Sequence, residues 1–99
     1  MLSRIKTPRR KIAQFCRENR IRSLALFGSV LRDDFQPESD VDVLVEFEPG
    51  ARVGLSFFRM QDELSAIMGR PVDLNTPASL SRYFRDDVLA SAEVLYVAS

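Results

Sequence analysis

The stretch that most limits what this chain can fold into is Asp40-Val41-Asp42-Val43-Leu44-Val45. In an extended strand successive side chains point to opposite faces, so Asp40 and Asp42 leave one face and Val41, Val43 and Val45 the other. A sheet built on this strand has one side closed by apolar packing and another where two carboxylates are forced together. Side by side without a cation they repel, and one takes up a proton. A hard divalent ion removes that cost, and Mg²⁺ is usually held by one or two carboxylates plus substrate phosphate oxygens. The pair points to a metal, and the metal to a phosphate ligand.

Separated from Asp40 by ten residues lies Gly28-Ser29, closing the apolar run Leu24-Ala25-Leu26-Phe27. That run reads as a buried strand. A strand ending in Gly-Ser before a short helical pattern lets backbone approach a phosphate, since glycine has no Cβ in the way. The helix start then aims its free N–H groups, with the Ser29 hydroxyl, at the anion. Arg32 on that first turn adds a positive charge. A D-x-D pair also occurs on solvated sheet faces, and Gly-Ser in plain turns; the two at a fixed spacing favour the nucleotide reading.

What the chain lacks narrows the chemistry. It has no histidine, which removes Ser-His-Asp triads, Cys-His pairs and the HExxH zinc site. Its two lysines, Lys6 and Lys11, precede every glycine, so no phosphate-binding loop ending in Gly-Lys-Ser/Thr is present. Cys16 is the single cysteine, excluding an internal disulfide; beside Ile12 and Phe15 it reads as a small buried side chain rather than a nucleophile. The amino terminus lacks the apolar core of a signal peptide and no apolar run reaches membrane-spanning length, which predicts a cytoplasmic protein. Ninety-nine residues, 45% of them apolar, suffice for one domain spanning 1–99.

Charge cancels overall but is unevenly spread. Eight basic residues and one acid occupy the first twenty-two positions, leaving six basic and thirteen acidic residues for the rest. A basic arm invites a nucleic-acid reading. No aromatics are interleaved with it to stack bases, so a solvated helix face is the favoured account.

Along the chain, Thr7-Pro8 opens a helix carrying Ile12, Phe15 and Cys16 on one stripe, with Asn19 as its stop. Ser23–Phe27 is a strand. After the short helix, residues 33–39 form a loop whose acids, Asp33, Asp34 and Glu38, are solvated. Glu48-Pro49-Gly50-Ala51 is a turn. From Leu55 the pattern is helical, with Phe57, Met60, Leu64, Ile67 and Met68 spaced by three and four and Gly69 ending it. That stripe is most simply core; a base pocket from Phe57 or Phe58 is the weaker reading. Arg70 to Asn75 is a short strand with Val72 and Leu74 facing the core and Asp73 the other way. If it pairs beside Asp40-Val41-Asp42, a third carboxylate joins the first two. After Thr76-Pro77, the residues Phe84, Val88, Ala92 and Leu95 mark a last helix, which could give way to a short strand at 94–97. The order predicts an α/β domain: a small mixed sheet, helices mainly on one face, acids exposed on the other.

Gly28-Ser29, ten residues and Asp40-x-Asp42 resemble the GS-x10-DxD signature of the nucleotidyltransferase superfamily that includes DNA polymerase beta. The length, the block Ser39 to Val45 and the later Pro71-Val72-Asp73-Leu74 resemble its smallest members, the minimal nucleotidyltransferases, often encoded beside a HEPN-domain toxin. The resemblance runs from about Ile21 to Tyr96. It implies the nucleotidyltransferase fold, with Asp73 as the third acid of a site holding two Mg²⁺ ions. The implied activity is transfer of AMP from ATP to a hydroxyl, here a tyrosine of a HEPN toxin, the chain serving as antitoxin. Asp40 and Asp42 would serve the nucleotide's ion, and Asp73 the nucleophile's ion or its proton.

One departure stands out. The superfamily commonly shows G-S-R-x-R-G, whereas Gly28-Ser29-Val30-Leu31-Arg32-Asp33 keeps only the second arginine and loses the closing glycine. A non-catalytic module that neutralises its partner by covering it is therefore the alternative, and a nucleic-acid-binding protein a weaker third.

Overall fold

The computed structural model describes residues 8–28, 40–83 and 85–98. Helix α1 (Arg9–Glu18) leads into strand β1 (Ile21–Phe27). Strand β2 (Val41–Phe47), helix α2 (Ser56–Met68) and strand β3 (Val72–Asn75) follow. A 3-10 turn at Pro77–Ser79, helix α3 (Arg85–Ser91) and strand β4 (Glu93–Val97) complete the described chain. The strands form one mixed sheet in the order β3-β2-β1-β4. β1 pairs antiparallel with both β2 and β4, and β2 pairs parallel with β3. The helix between β2 and β3 is the crossover that a parallel pair requires.

Side-chain parity divides the sheet into two unlike faces. Val41, Val43 and Val45 of β2, Leu24 and Leu26 of β1, and Val72 and Leu74 of β3 all enter one core. The apolar stripes of α1 (Ile12, Phe15, Cys16) and α2 (Met60, Leu64) close over them. Gly69 ends α2 at φ 73°, a left-handed conformation that costs glycine nothing, its N–H bonded to the Ser65 carbonyl. Burial holds the Cys16 thiol up to about 12, against the opposing pull of Arg17, in keeping with a core side chain.

The last helical stripe is divided in two. The positions Val88 and Ala92 do belong to one apolar face, but Leu95 lies on β4, where it joins the main core from the strand side of β1. The run Val94-Leu95-Tyr96-Val97 is β-branched and aromatic, and pairing against β1 satisfies its backbone better than a further helical turn would. Among the described residues the sheet therefore has four strands, one more than the unbroken helix would leave.

The opposite face carries the acids, and it is not bare. Phe27 and Leu44 are buried there under Leu80, with Val88 and Ala92 packed against them. The 3-10 turn and α3 thus cover part of the face that α1 and α2 leave open. Among the described residues no helix is long and apolar enough to cross a membrane.

Candidate active site

Three strands bring three residues into one row. Phe27 of β1 pairs with Asp42 of β2, and Asp42 pairs with Asp73 of β3. Neighbouring strands lie about 4.8 Å apart, so the two carboxylate-bearing positions are immediate neighbours on the same face. Asp42 is half-buried and Asp73 exposed. The sequence gives their parity; the parallel pairing of β3 with β2 makes them adjacent.

Gly28 follows Phe27 at the β1 end of the row. It adopts φ +76°, and a Cβ placed on it would strike Oδ2 of Asp42 and lie 3.2 Å from its carboxyl carbon. The backbone here needs glycine twice over, for the left-handed conformation and for the missing side chain. Ser29 and Arg32, the other two residues assigned to the nucleotide, lie outside the described residues, as do Val30 and Asp33.

Asp40 is exposed and sits one residue ahead of the first paired residue of β2. The chain is fixed at that point, because Val41 N–H donates to the Pro71 carbonyl at 2.9 Å, tying the start of β2 to the start of β3. Among the described residues no group of three acidic side chains is close enough to enclose a metal ion. The pair Asp42 and Asp73 fits a hard ion that takes one or two carboxylates and completes its shell with phosphate oxygens and water.

β3 is an edge strand, yet its outer amides are occupied. Leu74 N–H donates to Oε1 of Gln61 at 2.9 Å and Val72 N–H to Oγ of Ser65 at 3.0 Å. The Ser65 hydroxyl in turn donates to the Gln61 carbonyl at 2.8 Å. The residues sit one turn apart on α2, beside its apolar stripe. Sequence reasoning passed over both; the visible signal is two polar residues four apart flanking core positions.

The other candidate features fall away from this row. Phe57 packs on Phe47, ring centroids 6.5 Å apart, as part of the main core, while Phe58 points largely to solvent. Phe47 is five residues from Asp42 along β2, roughly 16 Å, and on the opposite face. The exposed basic residues Arg9, Arg10, Lys11 and Arg17 lie on α1, behind the sheet relative to the acids, Arg9 reaching Glu93 at 3.9 Å.

Comparison with known proteins agrees with this fold. A family model described as a nucleotidyltransferase domain matches residues 9–95. The chain belongs to the nucleotidyltransferase family. It is similar to the protein adenylyltransferase MntA of Thermococcus cleftensis, 38% identical over 77 residues, which span 78% of this chain and 75% of that protein. It also resembles a solved structure provisionally described as a minimal nucleotidyltransferase, with 32% identity, a TM-score of 0.69 and 85% of each chain covered. A third likeness is to a chain of the complex between tri-AMPylated Shewanella oneidensis HEPN toxin and MNT antitoxin. There the TM-score is 0.65 at 22% identity, covering 91% of this chain and 70% of that one, a likeness of fold. As a nucleotidyltransferase, the chain places its acids on the sheet face opposite α1 and α2, the division its strand parity predicts.

Proposed function

We propose that this nucleotidyltransferase transfers AMP from ATP to a tyrosine hydroxyl of a HEPN-domain toxin and so acts as its antitoxin, with Mg²⁺ required. The observation that carries the reading is the register pairing of Asp42 with Asp73, with Gly28 pressed against Asp42. The adenylyltransferase name of the Thermococcus relative supports the choice of AMP and of a protein acceptor. The AMPylated HEPN toxin in the similarly folded complex supports the choice of partner.

The acceptor oxygen attacks the α-phosphorus of ATP. A new P–O bond forms as the bond from that phosphorus to pyrophosphate breaks, and the hydroxyl proton passes to a base. Asp73, exposed at the outer end of the row, is assigned that proton. Asp42, with Asp40 beside it at the strand entrance, is assigned to holding the metal-bound triphosphate. Bound Mg²⁺ supplies neutralisation of phosphate charge and a more acidic attacking hydroxyl. The backbone of Gly28 gives the phosphates close approach, and Ser29 and Arg32 are assigned to them from the sequence. The buried apolar cluster of Phe27, Leu44 and Leu80 lines the α3 side of the row.

The test is incubation of the protein with labelled ATP, Mg²⁺ and a HEPN-domain toxin, followed by mass spectrometry of the toxin. A gain in multiples of AMP on tyrosine, lost in Asp42→Asn and Asp73→Asn, is the expected result. Neutralisation of the toxin that survives both substitutions overturns the catalytic reading in favour of the covering module.

A further inference from the structure

We infer that Gln61 and Ser65 are positioning residues, holding Asp73 in register beside Asp42. The inference rests on the reading of Asp73 as the group that takes the acceptor's proton. β3 is four residues long and is bonded to the sheet on one side only, through β2. A strand so short, tied along one edge, is where a fold opens most readily. On its other edge the amides on either side of Asp73 are the two that α2 holds, Val72 through Ser65 Oγ at 3.0 Å and Leu74 through Gln61 Oε1 at 2.9 Å.

The clamp is built to be stiff. Ser65 and Gln61 are linked to each other through the Ser65 hydroxyl and the Gln61 carbonyl. Leu64, fully buried between them in sequence, anchors the same turn of α2 in the main core. Val72 and Leu74, whose amides are held, are themselves buried, so the only side chain of the clamped tripeptide left facing outward is Asp73. Two helical side chains thus stand in for a fifth strand, and what they immobilise is the base. A displacement of about 1 Å in a reacting group can cost on the order of 100-fold in rate, which makes a register clamp on this strand a determinant of turnover and not of affinity.

The experiment compares steady-state AMP transfer by the full chain, its Gln61→Leu, Gln61→Glu, Ser65→Ala and Asp73→Asn variants, and the Gln61→Leu/Asp73→Asn double variant. Gln61→Leu keeps the side-chain volume and removes the acceptor; kcat is expected to fall roughly 10- to 100-fold with KM for ATP within about twofold of the parent. Gln61→Glu, which keeps an acceptor oxygen at the same reach, restores most of kcat. Faster hydrogen exchange at the Leu74 amide accompanies the loss, and in the Asp73→Asn background Gln61→Leu has no further effect on kcat. Parent-like kcat in folded Gln61→Leu and Ser65→Ala, with Asp73→Asn inactive, overturns the clamp and leaves the role of Asp73 standing. An active Asp73→Asn overturns the role of Asp73 and the clamp's purpose with it. Should Gln61→Leu fail to fold, Ser65→Ala and the exchange rate at Val72 carry the same decision.

Discussion

Gly28 lies against the carboxylate of Asp42 so closely that no side chain can stand between them. The contact couples the end of β1 to the acid of β2, and it explains why the glycine of the Gly-Ser pair sits at this point of the chain. Substitution by alanine has two separable costs. The left-handed φ of +76° strains any residue with a Cβ, by about 1 kcal/mol, and the new methyl group must displace the Asp42 carboxylate. Gly28→Ala is expected to lower stability in urea by at least that amount and to abolish AMP transfer; a variant with parent-like turnover would show that Asp42 is not fixed by this contact.

The two paired acids are expected to fail differently. Asp42→Asn should lose Mg²⁺-dependent ATP binding, read by titration calorimetry with and without EDTA. Asp73→Asn should keep that binding and lose transfer by roughly 10²- to 10⁴-fold, the range associated with a positioned base. Chelation of Mg²⁺ from the parent protein should abolish transfer and leave its thermal unfolding nearly unchanged, because the fold around the pair is made by β1, β2 and β3 and not by the ion.

The two apolar clusters should respond unequally to truncation. Leu64 has no exposed surface and sits among the tightly packed residues between α2 and the sheet. Leu64→Ala is expected to cost about 2–5 kcal/mol. Leu80 is 8% exposed and belongs to a cluster of three buried residues on the acid-bearing face, which can relax around a cavity. Leu80→Ala should cost near the lower end, about 2 kcal/mol, while reducing AMP transfer because Phe27 and Leu44, in and beside the row of Asp42, lose their cover. Chemical denaturation of both variants separates these outcomes.

Stability should decline at alkaline pH through one core residue. Burial pushes the Cys16 thiol up to about 12 from an ordinary 9.0, so above pH 9 the unfolded chain releases a proton that the folded chain retains. The folded state is then the one that binds more protons, and stability falls as pH rises between those values. With no histidine in the chain, the interval from pH 6 to 8 should be nearly flat. Cys16→Ala should remove the alkaline decline at the cost of a small cavity, and Cys16 in the parent should resist thiol reagents until the protein is unfolded.

Much of this was legible in the residues because parity and periodicity are local properties. Val41-Asp42-Val43 states which side of its strand is core, and Phe57 to Met68 states which side of its helix is. What a strand pairs with is not local. Nothing between Val72 and Asn75 specifies a parallel neighbour, so the adjacency of Asp73 and Asp42 could be posed only as a condition, and the bonds from Gln61 and Ser65 to that strand could not be posed at all. The helical spacing is real from Arg85 to Ser91, and only its extension to Leu95 is a coincidence of three and four; the β-branched run there decides for a strand once β1 offers a ladder. The part of the site furthest from local rules was the adjacency of Asp73 to Asp42, and the parallel pairing of β3 with β2 supplies it.

The side chains of α2 that occupy the outer amides of β3 also set how these molecules can meet. A sheet with two free margins can propagate from copy to copy without limit. At the β3 margin the amide donors of Val72 and Leu74 are already spent on Ser65 and Gln61, so along that edge an incoming strand finds neither of them to bond with.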